Sequence, residues 1–261
     1  MKYFLPILIL LSVACNKKKV PPPLIIGHAV CGLEMVNSVF PPNTIEGLIF
    51  AKNLGLEGYE IDVQMDSDGE LWLFHDEFLD ENTKGMGCIN NLSTAEIEKI
   101  TYKSFGKEKL TRLEEVVSFF DGKKLVLLDI KHWNACNETA ADKVLFKNEL
   151  LELGLDTFLN VRLIITPPSW IATFSPDFQV IASVENPNEL QKRSQQFPQV
   201  CGWLGSSKRF NYADITPYKT KYEFYLFDLR SITAIRRSMS KGASGILVDD
   251  LRTGIQLKQN Y

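Results

Sequence analysis

Excess positive charge, an apolar run long enough to cross a bilayer as a helix, and short-period repeats are all missing from this sequence of 261 residues, and histidine is scarce, with three in the chain. A formal net charge of −3 leaves no electrostatic footprint for nucleic acid, so no nucleic-acid partner is expected. The N-terminal apolar stretch, Tyr3 to Ala14, falls well short of the roughly 20 residues that a spanning helix needs. With no repeat in sight, residues 24–261 read as one domain, and a hydrophobic content of 45% suits a globular core. Because histidines are so few, each is a candidate for chemistry.

What the N-terminus does carry is an address. Lys2, the apolar stretch and the polar segment from Cys15 through Lys17-Lys18-Lys19 form a signal-peptide pattern, so residues 1–14 are expected to be removed. Leu11-Ser12-Val13-Ala14-Cys15 resembles a bacterial lipoprotein signal, which implies a lipid on Cys15; the alternative is plain secretory cleavage near Ala14. Residues 15–23, ending in Pro21-Pro22-Pro23, would then be a semi-rigid tether holding the domain at a membrane of the bacterial cell envelope, facing the periplasm or the exterior. Setting Cys15 aside leaves Cys31, Cys88, Cys136 and Cys201. Two readings stand: a disulfide between the neighbouring loops that carry Cys31 and Cys88, or four buried thiols.

The chemistry concentrates in Gly58-Tyr59-Glu60-Ile61-Asp62-Val63-Gln64 and Leu73-Phe74-His75-Asp76. Strand residues two apart share a face, so Glu60 and Asp62 can grip one cation. Between them and His75 lies Met65-Asp66-Ser67-Asp68-Gly69-Glu70, whose Asp-Gly step signals a hairpin. A turn centred on Ser67-Asp68 sets His75 opposite Glu60, and one centred on Asp68-Gly69 sets it opposite Asp62. His28 ends the apolar run Leu24-Ile25-Ile26-Gly27, where a first strand would stop.

Apolar, β-rich runs recur at 24–30, 58–65, 71–76, 125–131, 161–166, 178–185, 201–206, 223–229 and 246–250, with helix-like stretches between many of them. Asn43 is the expected cap of the first helix, and Ser93-Thr94-Ala95-Glu96 reads as a capping box. Strands alternating with helices predict a TIM (β/α)8 barrel, and the hairpin explains the surplus run, since one of its strands must stand outside the parallel ring. In such barrels the chemistry gathers at the C-terminal strand ends, where His28, Asp62, Asp129, Glu185, Asp228 and Asp249 fall.

The order of these motifs resembles the glycerophosphodiester phosphodiesterase family. His28, Pro42-Asn43-Thr44-Ile45-Glu46-Gly47, Glu60-Ile61-Asp62-Val63-Gln64, Phe74-His75-Asp76, Leu128-Asp129-Ile130-Lys131 and Gly242-Ala243-Ser244-Gly245-Ile246-Leu247-Val248-Asp249 occur in the family's order. The resemblance implies a metal-dependent hydrolase of small glycerophosphodiesters, with Glu60, Asp62 and Asp129 as metal ligands, His28 and His75 as the acid–base pair and Lys131 near the phosphate. An all-oxygen carboxylate set suits one divalent ion, Ca²⁺ or Mg²⁺. Trp133 could wall the substrate's glycerol or lipid portion. Where the family has Arg-Gly after the first histidine, this chain has Ala29-Val30; Pro42 replaces a glutamate, and Asp129 replaces another. Lys131, Lys208 and Arg209 are the candidates to restore the lost positive charge. Two alternatives remain: a lysophospholipase D-like or phospholipase-like enzyme acting on a lipid phosphodiester, and a noncatalytic surface lipoprotein that binds a phosphorylated ligand.

Overall fold

In the computed structural model, which describes residues 20–33, 40–132, 136 and 142–261, the strands are β1 (Leu24–Gly27), β2 (Gly58–Met65), β3 (Leu71–Leu73), β4 (Thr111–Arg112), β5 (Leu125–Ile130), β6 (Val161–Ile165), β7 (Val180–Val184), β8 (Gly202–Ser206), β9 (Glu223–Leu229) and β10 (Gly245–Val248). Eight of them close a parallel ring in the order β1-β10-β9-β8-β7-β6-β5-β2, sealed by pairing of β1 with β2. This is the expected TIM barrel, and β3 is the hairpin strand outside the ring, antiparallel to the far end of β2, with the two-residue β4 paired to its other edge.

The ring interior is filled by one apolar side chain from each of seven strands: Ile26, Leu127, Ile164, Ile181, Leu204, Tyr225 and Leu247. The eighth strand, β2, is the exception. Its residues are buried throughout, and it carries Glu60, opposite Leu127 of β5, and Asp62, opposite Asp129. A larger apolar shell between ring and helices surrounds the barrel, so rigid packing on both faces fixes the strand ends that bear the polar residues.

Three helices escape the sequence pattern: Pro168–Phe174, Tyr212–Ile215 and Leu251–Gln259. The last contains Gly254, which weakens a helical pattern. Here that glycine lets the helix lie against the barrel, since a Cβ would come within 3.1 Å of Ile25 and Val248. The first helix is capped by Thr44, whose Oγ1 accepts from Gly47 N at 3.2 Å, and not by Asn43.

The hairpin register also differs from expectation. Val63 pairs with Leu73 and Met65 with Leu71, so His75 lies opposite neither Glu60 nor Asp62. The cause is a three-residue loop, 67–69, closed by Gly69 at φ +101°. Asp66 locks it: Oδ1 accepts from Asp68 N and Glu70 N, and Oδ2 accepts from Trp72 Nε1 and Thr94 Oγ1. The chain leaves the ladder after Leu73, and the segment that follows packs on its own cluster of Trp72, Phe74, Leu79, Ile89, Ile97, Tyr102 and Leu110.

The cysteines follow neither sequence reading. Cys88 is bonded to Cys136, 48 residues on, while Cys31 is buried against the first helix with Sγ directed at Pro41 O. The signal segment, Cys15, residues 16–19 of the tether and Trp133 lie outside the described residues. Among the described residues no helix is long and apolar enough to cross a membrane. Cys88→Ser together with Cys136→Ser should lower the unfolding free energy by about 2–4 kcal/mol; urea denaturation measures it, and an unmoved midpoint would show that the bridge does not constrain the chain.

Candidate active site

Parallel registration of β2 with β5 places Asp62 beside Asp129, and the two-residue period of β2 brings Glu60 to the same face. One oxygen from each of the three carboxylates lies within 4.8 Å of the others. The surrounding backbone is arranged to hold them. Asn43, in a left-handed conformation at φ +58°, donates through Nδ2 to Asp62 Oδ2 at 2.8 Å and accepts from Asp62 N at 3.1 Å. Glu60 Oε2 accepts from Ala29 N at 2.7 Å.

Lys131 reaches in among these groups, its ammonium 2.9 Å from Asp62 Oδ1 and 2.6 Å from Asp129 Oδ2. Burial, reinforced by the charges of Asp62 and Asp129, pushes Glu60 well above the usual carboxylate range. Burial pulls Asp62 the same way, but Lys131, His75 and the Asn43 hydrogen bond prevail and hold it below that range. For Lys131 burial disfavours the charge, yet the neighbouring carboxylates carry its pKa above the ordinary lysine value. Formally, three carboxylates against one ammonium leave two negative charges uncompensated. A hard divalent cation fits that donor set, and the lodged ammonium marks where positive charge is held.

Two imidazoles complete the arrangement. His28 follows β1, and its Nδ1 lies 2.9 Å from Oδ1 of Asp249, which follows β10 next to it in the ring. His75 Nδ1 lies 2.9 Å from Asp76 Oδ1, and Asn82 donates to the other Asp76 oxygen. Each carboxylate makes Nδ1 the donor and assigns proton exchange to Nε2. Gln64 sets the position of His75 once the ladder has ended: its Nε2 donates to Phe74 O at 2.9 Å and to Asp76 O at 2.8 Å, bracketing the histidine. Burial works to lower the His75 pKa, but the Asp76 hydrogen bond and the Asp62 charge prevail and leave it raised.

His28, Glu60, His75, Asp129 and Lys131 line one cavity of about 300 Å³ at the C-terminal end of the barrel. Ile164, Leu204 and Leu247 form its floor, and Thr166, Ser183, Phe227, Asp228 and Arg230 its far wall. Of the residues singled out from the sequence, Asp62, which is fully buried, and Glu185, Lys208 and Arg209 do not line it. Lys208 is tied to Asp228 at 2.9 Å. His132, which sequence order suggests as an exposed loop residue, is instead partly buried beside Trp170, with ring centroids 5.9 Å apart. Ala29 is buried and adds no charge. Sequence reasoning missed Asn43, Gln64 and Arg230 as cavity-shaping residues. Only Gln64 had a legible signal, as the third member of the alternation begun by Glu60 and Asp62.

A family model described as the glycerophosphoryl diester phosphodiesterase family matches residues 36–197, more than half of the chain. Among curated relatives, a glycerophosphodiester phosphodiesterase of Caldanaerobacter subterraneus subsp. tengcongensis is 36% identical over 97 residues, 35% of this chain and 40% of the relative. One from Bacillus subtilis is 33% identical over 93 residues, 31% of this chain and 32% of the relative. The chain thus spans less than half the length of these relatives. Among solved structures, an Oleispira antarctica phosphodiesterase in complex with the product sn-glycerol-3-phosphate superposes with a TM-score of 0.75 at 19% identity, covering 92% of this chain and 98% of that one. A glycerophosphodiester phosphodiesterase from Thermotoga maritima gives 0.70 at 15%, covering 90% and 98%.

Protonation of His75 stabilises the fold below the free-imidazole range, and that contribution is lost as pH rises through the raised value. Asp76→Asn removes the negative charge that favours the imidazolium, so the His75 pKa should fall in the metal-free protein. An NMR titration of the ring reads this directly, and an unchanged midpoint would remove Asp76 from its assigned role.

Proposed function

Since the chain belongs to the glycerophosphoryl diester phosphodiesterase family, we propose that its barrel mouth hydrolyses glycerophosphodiesters to glycerol phosphate and an alcohol with the help of one divalent cation. The observation that carries this reading is a cavity in which two carboxylate-braced imidazoles flank a three-carboxylate cluster, with Glu60 and Asp62 buried and Asp129 partly exposed. Glu60, Asp62 and Asp129 would hold Ca²⁺ or Mg²⁺, which supplies charge neutralisation and polarisation of the phosphoryl oxygens.

The remaining chemistry falls to side chains already in place. An alkoxide is a poor leaving group, so one imidazole must deliver a proton to the departing oxygen while the other removes one from the attacking hydroxyl or water. Asp249 and Asp76 keep each ring in the tautomer that exchanges its proton through Nε2. The apolar floor keeps bulk water from entering beneath the substrate. A cavity of about 300 Å³ lies at the small end of the usual range for ligand sites, which favours a deacylated glycerophosphodiester over a lipid diester. The sn-glycerol-3-phosphate bound by the Oleispira antarctica neighbour supports the same product here.

The setting belongs to the same proposal. The Cys88–Cys136 bridge suits an oxidising compartment, which supports export to the bacterial envelope with a lipid on Cys15 as the anchor.

Purified protein with Ca²⁺ or Mg²⁺ should release glycerol phosphate and choline from glycerophosphocholine and lose this activity on chelation. His28→Ala and His75→Ala should each lower kcat by about 10²–10⁴-fold. Undiminished turnover in both variants would refute the mechanism, and faster turnover of lysophosphatidylcholine than of glycerophosphocholine would shift the substrate to lipids.

A further inference from the structure

Among the described residues, two cations line the cavity: Lys131 and Arg230. They lie on opposite walls. Counting around the closed ring, β9 is the fourth strand on from β5 in a ring of eight and so faces it across the mouth. Lys131 is drawn down between Asp62 and Asp129, and position 29, beside His28, is a buried alanine. Among the described residues, neither wall near the histidines therefore offers a forked donor to a phosphate.

The opposite wall does. Pairing of β9 with β10 slips by one residue, from Ile246 opposite Leu226 to Val248 opposite Leu229. This bulge lies at residues 227–228, and Asp228 sits in it with φ +69°. Phe227 and Asp228 consequently both line the cavity. Asp228 is held in place by Ser206 Oγ, which donates to Oδ2 at 3.1 Å, and by the Lys208 ammonium at 2.9 Å. In turn its Oδ1 lies 3.3 Å from Arg230 Nε. The Arg230 side chain is 60% exposed, so the guanidinium is tethered at its inner nitrogen and presented at the rim. The loop belongs to the seventh strand of the ring, one of the positions where barrels of this architecture frequently bind phosphate.

We infer that Arg230, anchored by Asp228 on the β9 bulge, grips the phosphate oxygens of the substrate from across the mouth, supplying the fork-shaped contact that Ala29 does not. The inference rests on the proposed phosphodiesterase reading and adds to it a substrate-binding residue. A guanidinium pairs two phosphate oxygens at once, which an ammonium cannot do. Held from opposite sides by the acidic wall's cation and by Arg230, the phosphodiester would be oriented between the two imidazoles.

The test is calorimetric titration of the Ca²⁺-loaded protein with inorganic phosphate and with sn-glycerol 3-phosphate, alongside steady-state hydrolysis of glycerophosphocholine. Arg230→Ala should weaken both anions by about 10- to 100-fold and raise KM by a similar factor, with kcat within about threefold. Arg230→Lys should recover only part of the loss, while Ca²⁺ affinity and the unfolding midpoint stay at wild-type values. Wild-type anion affinity in Arg230→Ala, or no detectable phosphate binding by the wild type, would overturn the assignment. So would a loss confined to glycerophosphoserine, which would place the arginine on the alcohol's carboxylate. Arg230-dependent phosphate binding without turnover of any glycerophosphodiester would instead sink the catalytic reading and leave the clamp standing.

Discussion

Three carboxylates brought within 4.8 Å of one another at the foot of the barrel mouth impose the condition that the surrounding structure has to meet. Two unit charges at that separation repel by about 3 kcal/mol even at an effective dielectric constant of about 20, and burial adds a desolvation cost to Glu60 and Asp62. The chain meets the condition with donors and a cation. Ala29 N–H serves Glu60, Asn43 serves Asp62, and Lys131 bridges Asp62 and Asp129. Because the compensation is incomplete, the cluster stays an acceptor of positive charge. Buried carboxylates kept in this condition make sense as a cation site, since an aliphatic core would stabilise the barrel better.

The barrel makes that arrangement affordable in geometry. Seven strands send aliphatic or aromatic side chains into the ring, so β2 can carry polar residues on its inner face without opening the core. The hairpin that extends β2 then delivers His75 to the site by a route separate from the ring. Asp66 fixes the turn, Gln64 fixes the exit, and the satellite cluster under residues 74–110 supports both. Cys88 belongs to this inserted segment, and its bond to Cys136 joins the insert to the chain after β5, the strand that carries Asp129 and is followed by Lys131. The two sources of the polar residues are therefore covalently coupled.

How much of this was legible depended on the range of the interaction. Glu60 and Asp62 were readable because strand period acts over two residues. The alternation of strands and helices was readable because each element carries its own pattern. Failures began where a contact depended on distant chain. A three-residue loop moved the hairpin register by one, because Asp66 recruits Trp72 and Thr94 and favours that turn over a two-residue one. Asn43 looked like a helix cap because nothing local reveals that Asp62 claims its side chain. The disulfide joins residues 48 apart, a pairing that four cysteines alone do not select. Arg230 depends on a bulge that exists only in the pairing of β9 with β10.

Backbone strain follows the same map. Among the described residues, five non-glycines have positive φ: Ala29, Val30, Asn43, Lys107 and Asp228. Left-handed backbone costs such residues roughly 1–2 kcal/mol each, and most for a β-branched side chain such as Val30. Four of the five border the mouth, and each is tied to an acidic residue there or is one. Ala29 and Val30 direct their N–H groups to the side chain and backbone of Glu60, Asn43 binds Asp62, and Asp228 is itself the carboxylate that tethers Arg230. Strain scattered at random would not select these positions. Its concentration where charges must point inward indicates that the packed barrel holds the mouth in a conformation the local chain would not choose, so that the acidic groups are set in place by the fold itself.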